Sequence, residues 1–574
     1  MSKKIDSSAI LAITFGGHDT SAALMIGDEL VAACAQERYT LDKHSRRFPL
    51  DAINDCLSIG KLNITDLDQI AFCDDTKYLV RERYLRPALE DNERLNFLLN
   101  DIEKIPETLS IDDRIRDETG FTGEIRQYRH HLCHLASAYY PSGFNEALLV
   151  SYDGMGEWET GLLGTGKDGE INVQENQVCF PHSLGLVYSA ITFYLGWRHH
   201  CDEGIIMGLA PYGDPKANIP ESSRTYIGLM EEMIVETGDF NYEIDQRWFS
   251  YYRERNKWVS DEFIELMGPK RESNTMVNPH HMNLAAALQM RLETVVLNQL
   301  KRARKQFDIP RLAMAGGVAL NCSMNGKIES SGLFDEIFVQ PGSGDDGTAI
   351  GGCYLARKTF NRSMKPVRMN NYYKGYRPRG NEIDEVANSS DLEYTKPHDF
   401  YGVIAERLAS GKIVAWFQGG AEFGPRALGN RSILAKPYPE SMKDFINERV
   451  KFREYFRPFA GAILFEHLAD YCDISQLSPH MLIACKIHEE RQKEVSAVVH
   501  VDGTCRIQTV DESDNLRFRK LIEAFYRLTG VPVILNTSFN VKGQPIVNTP
   551  QQAIDTFKKT NLDCLALGDL FFEK

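Results

Sequence analysis

Apolar and polar positions follow the same plan at two places in this chain. Near the start, ILAITFGGHDTSAALMIGDELVAACAQER reads as an apolar strand, a Gly-Gly turn, a second strand, a GDE hairpin turn and a third strand. The order returns in ALLVSYDGMGEWETGLLGTGKDGEI as strand, acidic glycine-rich turn, strand, KDG turn, strand. A mostly helical pattern separates the copies. Two such units predict an internally duplicated α/β domain.

The duplicated actin-like ATPase fold is built in this way, with its two turns facing one another across a nucleotide cleft. A third glycine-rich element, RLAMAGGVALNCSMNGKI, follows the helical period of HMNLAAALQMRLETVVLNQLKRARKQF. It reads as a short strand, a tight Gly316-Gly317 turn and a helix. Backbone amides at such a turn can approach a ligand, because no side chain stands in the way. Next, VQPGSGDDGTAIGG runs from an apolar strand into acidic residues at the mouth of a small-residue helix. Residues 358–379 are polar and aperiodic, which marks a linker between a first domain, 1–357, and a second, 380–574. The second region, from GKIVAWFQGGAEFGPRALGNRSIL to VPVILNTSFNVKGQPIV, has β-branched strands and turns rich in Gly, Asn and Ser.

Composition narrows the field. At 574 residues the chain exceeds one core, and 43% apolar with 25% charged residues is the balance of a globular protein. A formal charge of -15 disfavours nucleic acid and anionic membranes as partners. Twelve cysteines without a CxxC pair, behind a polar start, read as reduced thiols of a cytoplasmic protein. No apolar run is long enough to span a bilayer.

Candidate chemistry begins in RHHLCHLASAYYPSGF. His130 and His134 are spaced i, i+4, so a helix projects both imidazoles from one face, as a transition metal requires. The residues between them lack the glutamate of a zinc peptidase. Asp153 ends the strand ALLVSYD and Asp345 ends VQPGSGD, at the strand C-termini where α/β folds place ligand-facing groups. Two imidazoles and two carboxylates suit Fe²⁺, Zn²⁺ or Mn²⁺ with room for an exogenous ligand. Ordinary buried histidines remain the alternative on spacing alone.

Nine blocks occur in order: GGHDTSAAL, RHHLCHLASAYYPSGF, MGLAPYG, GGVALNC, GDDGTAIGG, FGPRALGNRSIL, FRPFAG, HVDGTCRIQTV and ILNTSFNVKGQPIV. Together they resemble the O-carbamoyltransferases of antibiotic and nodulation-factor biosynthesis, the tobramycin and cephamycin enzymes among them. The resemblance covers essentially the whole chain. It implies a first domain similar to the iron-holding, actin-like domain of threonylcarbamoyl-transfer enzymes. It also implies a YrdC-like second domain that makes carbamoyl adenylate from ATP and carbamoyl phosphate. Carried across, His130, His134, Asp153 and Asp345 match the metal ligands, and His18 the histidine beside the acceptor hydroxyl. Lys43, Gly316, Gly317 and Asn321 match nucleotide-binding positions. One departure is plain: where related sequences often carry a lysine before MGLAPYG, this chain has Ile205 and Ile206.

Both proposed donors are anionic, so the second domain needs convergent cations. The resemblance favours Arg426, Lys451, Arg457 and Arg506, with Asn536 and Ser538 at a strand end, and leaves Arg453 aside. Guanidinium forks grip phosphate in a bidentate manner and lysine adds a point charge. The expected sequence is adenylate formation with Mg²⁺ and ATP, then carbamoyl transfer to a hydroxyl of a small-molecule acceptor, with His18 assisting deprotonation. A tRNA-modifying threonylcarbamoyl enzyme and an actin-like ATPase switch are the two other readings. Neither the acceptor nor the oligomeric state is written in these residues.

Overall fold

The computed structural model describes residues 7–90, 92–175, 177–238, 240–474 and 476–574; the polar start, through residue 6, lies outside them. Two compact units are formed: Met1–Val31 with Arg46–Arg368, and Ala32–Ser45 with Met369–Lys574. The segment 32–45, which the sequence reading places in the first domain, thus belongs to the second unit. Its bonds explain why. Ala33 N–H donates to the Lys374 carbonyl at 3.1 Å, and the buried Arg38 Nη2 donates to the Gly424 carbonyl at 2.7 Å. No helix among the described residues is long and apolar enough to cross a membrane.

The first unit contains the predicted duplication. β1 (Ala9–Thr14), β2 (Ser21–Ile26), β3 (Glu29–Ala35), β4 (Gln69–Phe72) and β5 (Glu124–Gln127) form a sheet in the order β3-β2-β1-β4-β5. β1 runs antiparallel to β2 and parallel to β4, which is parallel to β5. The second sheet takes β6 (Glu146–Tyr152), β7 (Glu159–Lys167) and β8 (Glu170–Val173), with the short β9 (Val178–Cys179) beside β7. A separate hairpin, β10 (Ile234–Gly238) and β11 (Asn241–Ile244), precedes its last strands, β12 (Arg311–Ala315) and β13 (Glu336–Val339). Its order, β13-β12-β6-β7-β8, repeats the first sheet strand for strand, with β6 parallel to β12 and antiparallel to β7. This is the topology of the duplicated actin-like ATPase fold. β1 is buried at every position, so its sequence, AILAIT, is an apolar run up to the closing Thr14 rather than alternating.

Helices join the two sheets. α1 (His130–Ser142) packs on β6 and β12, and both α2 (Leu184–Tyr194) and α3 (Glu203–Leu209) contact the long α4 (Pro279–Phe307). α5 (Cys322–Ser330) follows the Gly316-Gly317 turn, and α6 (Thr348–Phe360) packs on β1, β2 and β4 and against α1. Small residues make that crossing close: a Cβ on Gly351 would lie 1.8 Å from the Cys133 carbonyl. α6 extends into the expected linker, and residues 361–381 contain neither helix nor strand.

The second unit is also α/β. β14 (Tyr394–Thr395), β15 (Val414–Phe417), β16 (Arg431–Ala435), β17 (Ala460–Leu464), β18 (Ala484–Lys486), β19 (Thr504–Val510), β20 (Val533–Ser538), β21 (Cys564–Leu567) and β22 (Leu570–Glu573) form one mixed sheet. Its order is β14-β22-β21-β15-β16-β20-β17-β19-β18, and α7 (Phe400–Ala409) and α8 (Leu516–Thr529) pack on each other.

Candidate active site

Three element ends meet in the first unit. α1 begins at His130, β6 stops one residue short of Asp153, and Asp345 lies just ahead of α6. One helical turn separates His130 from His134, so both rings leave the same face of α1. His130 Nε2 lies 3.0 Å from His134 Nε2, 3.4 Å from Asp153 Oδ2 and 3.5 Å from Asp345 Oδ1. His134 Nε2 lies 3.8 Å from Asp153 Oδ2 and 4.0 Å from Asp345 Oδ1. The four donor atoms all fall within 4.8 Å of one another.

Some of the remaining atoms of these side chains are backed, although His134 Nδ1 is shielded and has no hydrogen-bond partner. Gly317 N–H donates to Asp153 Oδ1 at 2.9 Å, and Asp74 Oδ1 stands 3.5 Å from His130 Nδ1. The other carboxylate nearby, Glu157 Oε1, accepts from the backbone N–H groups of His130 and Asp75, both at 2.8 Å. It thereby satisfies the first orphan donor of α1, whose N-cap residue, Arg129, makes no side-chain cap. Burial opposes charge on His130, but Asp345, Asp153 and Asp74 hold its pKa well above the ordinary value. Burial likewise opposes charge on Asp153, and the two imidazoles hold its pKa well below the usual carboxylate range. His131 is different. Its Nδ1 lies 2.8 Å from Ser151 Oγ and its Nε2 2.9 Å from the Glu159 carbonyl, and burial keeps the ring neutral.

Two nitrogens facing each other at 3.0 Å, with two carboxylate oxygens beside them, match a shared cation. Bonds of about 2 Å from one metal ion place neighbouring donors about 3 Å apart. The donor set therefore fits a borderline divalent metal. Neither Asp74 nor Glu157 was visible in the sequence pattern; only their position behind a candidate ligand reveals them.

Around this group the glycine turns are tight. Gly316 adopts φ +89°, and a Cβ there would lie 2.2 Å from the Tyr152 carbonyl. Its neighbour Gly317 holds Asp153, so this turn serves the carboxylate directly. Asn321 caps α5, its Oδ1 accepting from Met324 N–H at 3.0 Å, and its Nδ2 donates to Gln289 Oε1 at 2.9 Å. Lys43 is half-buried within the 32–45 segment, in the other unit from Gly316, Gly317 and Asn321.

On the opposite turn, a Cβ on Gly17 would lie 3.4 Å from Asp345 Oδ2, so the backbone just before His18 adjoins that carboxylate. His18 Nδ1 contacts Asp19 Oδ2 at 3.1 Å, and its ring lies 5.8 Å from that of His200. His200 is a further residue that sequence patterning missed. Burial, then His18 and His199, push its pKa down to about 3, so it stays neutral. Glu203 Oε1 fixes it, accepting from His200 N–H and from Ser189 Oγ–H at 2.6 Å each. Ile205 and Ile206, at the lysine position, are buried on α3.

The second unit gathers cations. Lys451 is buried; its Nζ donates to the Ser538 carbonyl, to Ser538 Oγ at 3.2 Å and to Asn540 Oδ1 at 2.8 Å. Burial and then Arg453 and Arg457 push its pKa well below the ordinary lysine value. Arg453, left aside by the sequence reading, belongs to the same group: burial, Arg457 and Arg506 all disfavour its charge. It stacks on Phe459 at 4.4 Å and donates from Nε to Asn447 Oδ1 at 2.7 Å. Strand register explains the rest. Ala460 stands opposite both Arg506 and Asn536, and Asn536 Nδ2 donates to Gln508 Oε1 at 2.9 Å. Arg506 and Gln508, like Asn536 and Ser538, are two apart and share a strand face. Asn536 Oδ1 and Arg506 Nε are shielded and lack hydrogen-bond partners. Arg426 is half-buried in the loop whose Ala427 carbonyl accepts from Asn536 Nδ2 at 3.3 Å.

Comparison with known proteins covers both units. Residues 9–354 match the carbamoyltransferase N-terminus and residues 405–574 the carbamoyltransferase C-terminus. An uncharacterised protein of Synechocystis is 35% identical over 98% of this chain and 96% of its own length. The nodulation protein NolNO of Sinorhizobium fredii is 34% identical over 100% of this chain and 81% of its own. The 3'-hydroxymethylcephem-O-carbamoyltransferase of Streptomyces clavuligerus is 32% identical over 52% of this chain and 56% of its own. With both family regions matched in order along one chain, this protein is a transferase enzyme of the carbamoyltransferase family.

Proposed function

We propose that this enzyme is an ATP-dependent O-carbamoyltransferase. Water hydrolyses carbamoyl phosphate to carbamate and phosphate, a carbamate oxygen attacks the α-phosphorus of ATP, and pyrophosphate departs with carbamoyl adenylate left behind. Lys451, Arg453, Arg457 and Arg506 are the cations offered to these anions, whose charge would offset the burial and repulsion that oppose charge on Lys451 and Arg453, with Mg²⁺ accompanying ATP. Asn536 and Ser538 offer hydrogen bonds to phosphate or to the carbamoyl amide.

Transfer to the acceptor is assigned to the first unit. His130, His134, Asp153 and Asp345 would hold a divalent transition metal, iron for preference, which supplies Lewis acidity at the carbamoyl carbonyl. A carbamoyl carbon is a poor electrophile because its nitrogen lone pair feeds the carbonyl. His18, its Nδ1 engaged by Asp19, takes the acceptor's hydroxyl proton at Nε2. The alkoxide oxygen bonds to the carbamoyl carbon, the mixed-anhydride bond breaks, and AMP leaves.

The convergence of the two imidazoles and two carboxylates carries this reading. It is tested by incubating the protein with ATP, carbamoyl phosphate and a panel of hydroxylated metabolites, scoring carbamate adducts by mass. A His130→Ala variant should still release pyrophosphate yet form no adduct. Adduct formation at the unmodified rate would remove the metal from the account.

A further inference from the structure

Beside His18 lies a cluster that the transfer chemistry does not use. The His200 ring is 4.9 Å from His199 and 5.1 Å from Trp258, and His199 stacks at 4.3 Å and 41° on Trp258. Phe193, near the end of α2, is 5.7 Å from His199. None of these four rings is fully buried; each keeps part of its surface open. Half-open aromatic faces with a few polar groups are the usual lining of a small-molecule site.

The charges acting on His199 are positive, whereas Asp153 and Asp345 act on His200 and Glu203 accepts its N–H. Lys270 Nζ stands 3.3 Å over the Phe193 ring, and Arg198 adjoins His199 in sequence. Arg198, Arg46, His18 and Lys270 all press against protonation of His199, in addition to its burial. Arg46, Arg198 and Lys270 form no ion pair among the described residues. In a chain with 80 acidic and 65 basic residues, three such cations around one histidine are a marked local excess. His199 Nδ1 is shielded and lacks a hydrogen-bond partner.

We propose that Phe193, His199, His200 and Trp258, with Arg198 and Lys270 at their margin, form an acceptor subsite for a hydroxylated ring bearing a phosphate or carboxylate. The ring's C–H face lies on the aromatic surface, the anion takes Arg198 and Lys270, and a hydroxyl is presented to His18. This assignment rests on the transfer reading above and names the class of its acceptor. The same anionic chemistry could come from the phosphate of AMP, so nucleotide is the second source to be separated.

Calorimetric titration of the full-length protein with glucose 1-phosphate, glucuronate, glucose and AMP distinguishes the cases. The charged sugars should bind at least about tenfold more tightly than glucose, the scale of a charge-assisted contact. An Arg198→Ala, Lys270→Ala double variant should erase that preference while leaving AMP affinity unchanged. Trp258→Ala should weaken both charged sugars about tenfold, and Trp258→Phe should restore most of it. Equal binding of glucose and the charged sugars, or no sugar binding, overturns the proposal. Loss of AMP affinity in the double variant, equal to the loss for sugar phosphate, also overturns it by assigning the cations to the nucleotide. Either result leaves carbamate formation with neutral alcohols intact, so the two readings fail separately.

Discussion

Glu157 offers the most quantitative test of how the candidate metal-ligand group is held. Its buried carboxylate accepts two backbone N–H groups, from His130 at the start of α1 and from Asp75. Truncation to alanine leaves both donors unsatisfied, at about 1–3 kcal/mol each. It also removes a negative charge from a helix N-terminus, worth about 0.5–1 kcal/mol. Burial and the neighbouring Asp74 raise the Glu157 pKa, and Oε2 has no partner, so relief of that carboxylate offsets part of the loss. A net cost of about 3 kcal/mol follows. For a unit of this size that lowers the melting midpoint by about 4 °C. Glu157→Gln keeps a carbonyl acceptor and should lose only about a third as much. Because His130 is then less firmly placed, metal affinity should fall about 10- to 100-fold in the alanine variant, the range seen for outer-shell partners. Calorimetry of the metal-loaded protein and competition with a calibrated chelator measure the two effects. If Glu157→Ala melts within 1 °C of the parent and binds metal equally well, the carboxylate does not set the position of His130.

Three other outcomes follow. Gly316→Ala meets the Tyr152 carbonyl at 2.2 Å with φ +89°, so it should lower the first unit's melting midpoint by several degrees and weaken metal binding through Gly317 and Asp153. Lys451→Met should abolish carbamoyl-phosphate-dependent pyrophosphate release while metal content stays unchanged, and undiminished release would exclude Lys451 from the anion site. Burial, then Asp511, lifts the Asp514 pKa to about 8. The folded state therefore keeps a proton that the unfolded chain has already lost, and stability should fall as pH rises from about 4 to 8, by at most about 1.4 kcal/mol per pH unit. Asp514→Asn should flatten that part of the pH–melting curve, and an unaltered slope would place the titration elsewhere.

Local pattern revealed what local physics determines. The strand–turn–strand copies follow from apolar runs punctuated by glycine, and the matched sheet orders bear out the duplication. His130 and His134 were legible because one helical turn fixes their shared face, and Asp153 because it follows the end of β6; Asp345, read as a strand end, lies instead beyond β13 in the turn that leads into α6. Asp74, Glu157 and His200 carry no periodic signal, since each lies in a loop and matters only through its neighbours, and Glu203 matters through His200, three residues before it. Arg453 resembles any surface arginine until Phe459 and the adjacent arginines are placed around it. The membership of 32–45 was equally hidden. An alternating strand announces its buried face, not which distant segment will supply its hydrogen-bond partners.

That segment also constrains the order of assembly. The chain leaves its first unit after Val31, rejoins it at Arg46 and departs again after Arg368, so no single cut separates two self-sufficient pieces. A fragment starting at Met369 would lack Arg38, exposing the Gly424 carbonyl, and would lose the Ala33 partner of Lys374. During synthesis, residues 32–45 leave the ribosome more than three hundred positions before their unit's remaining strands. The two units interleave along the chain, and the later one is completed by a thread spun near the beginning.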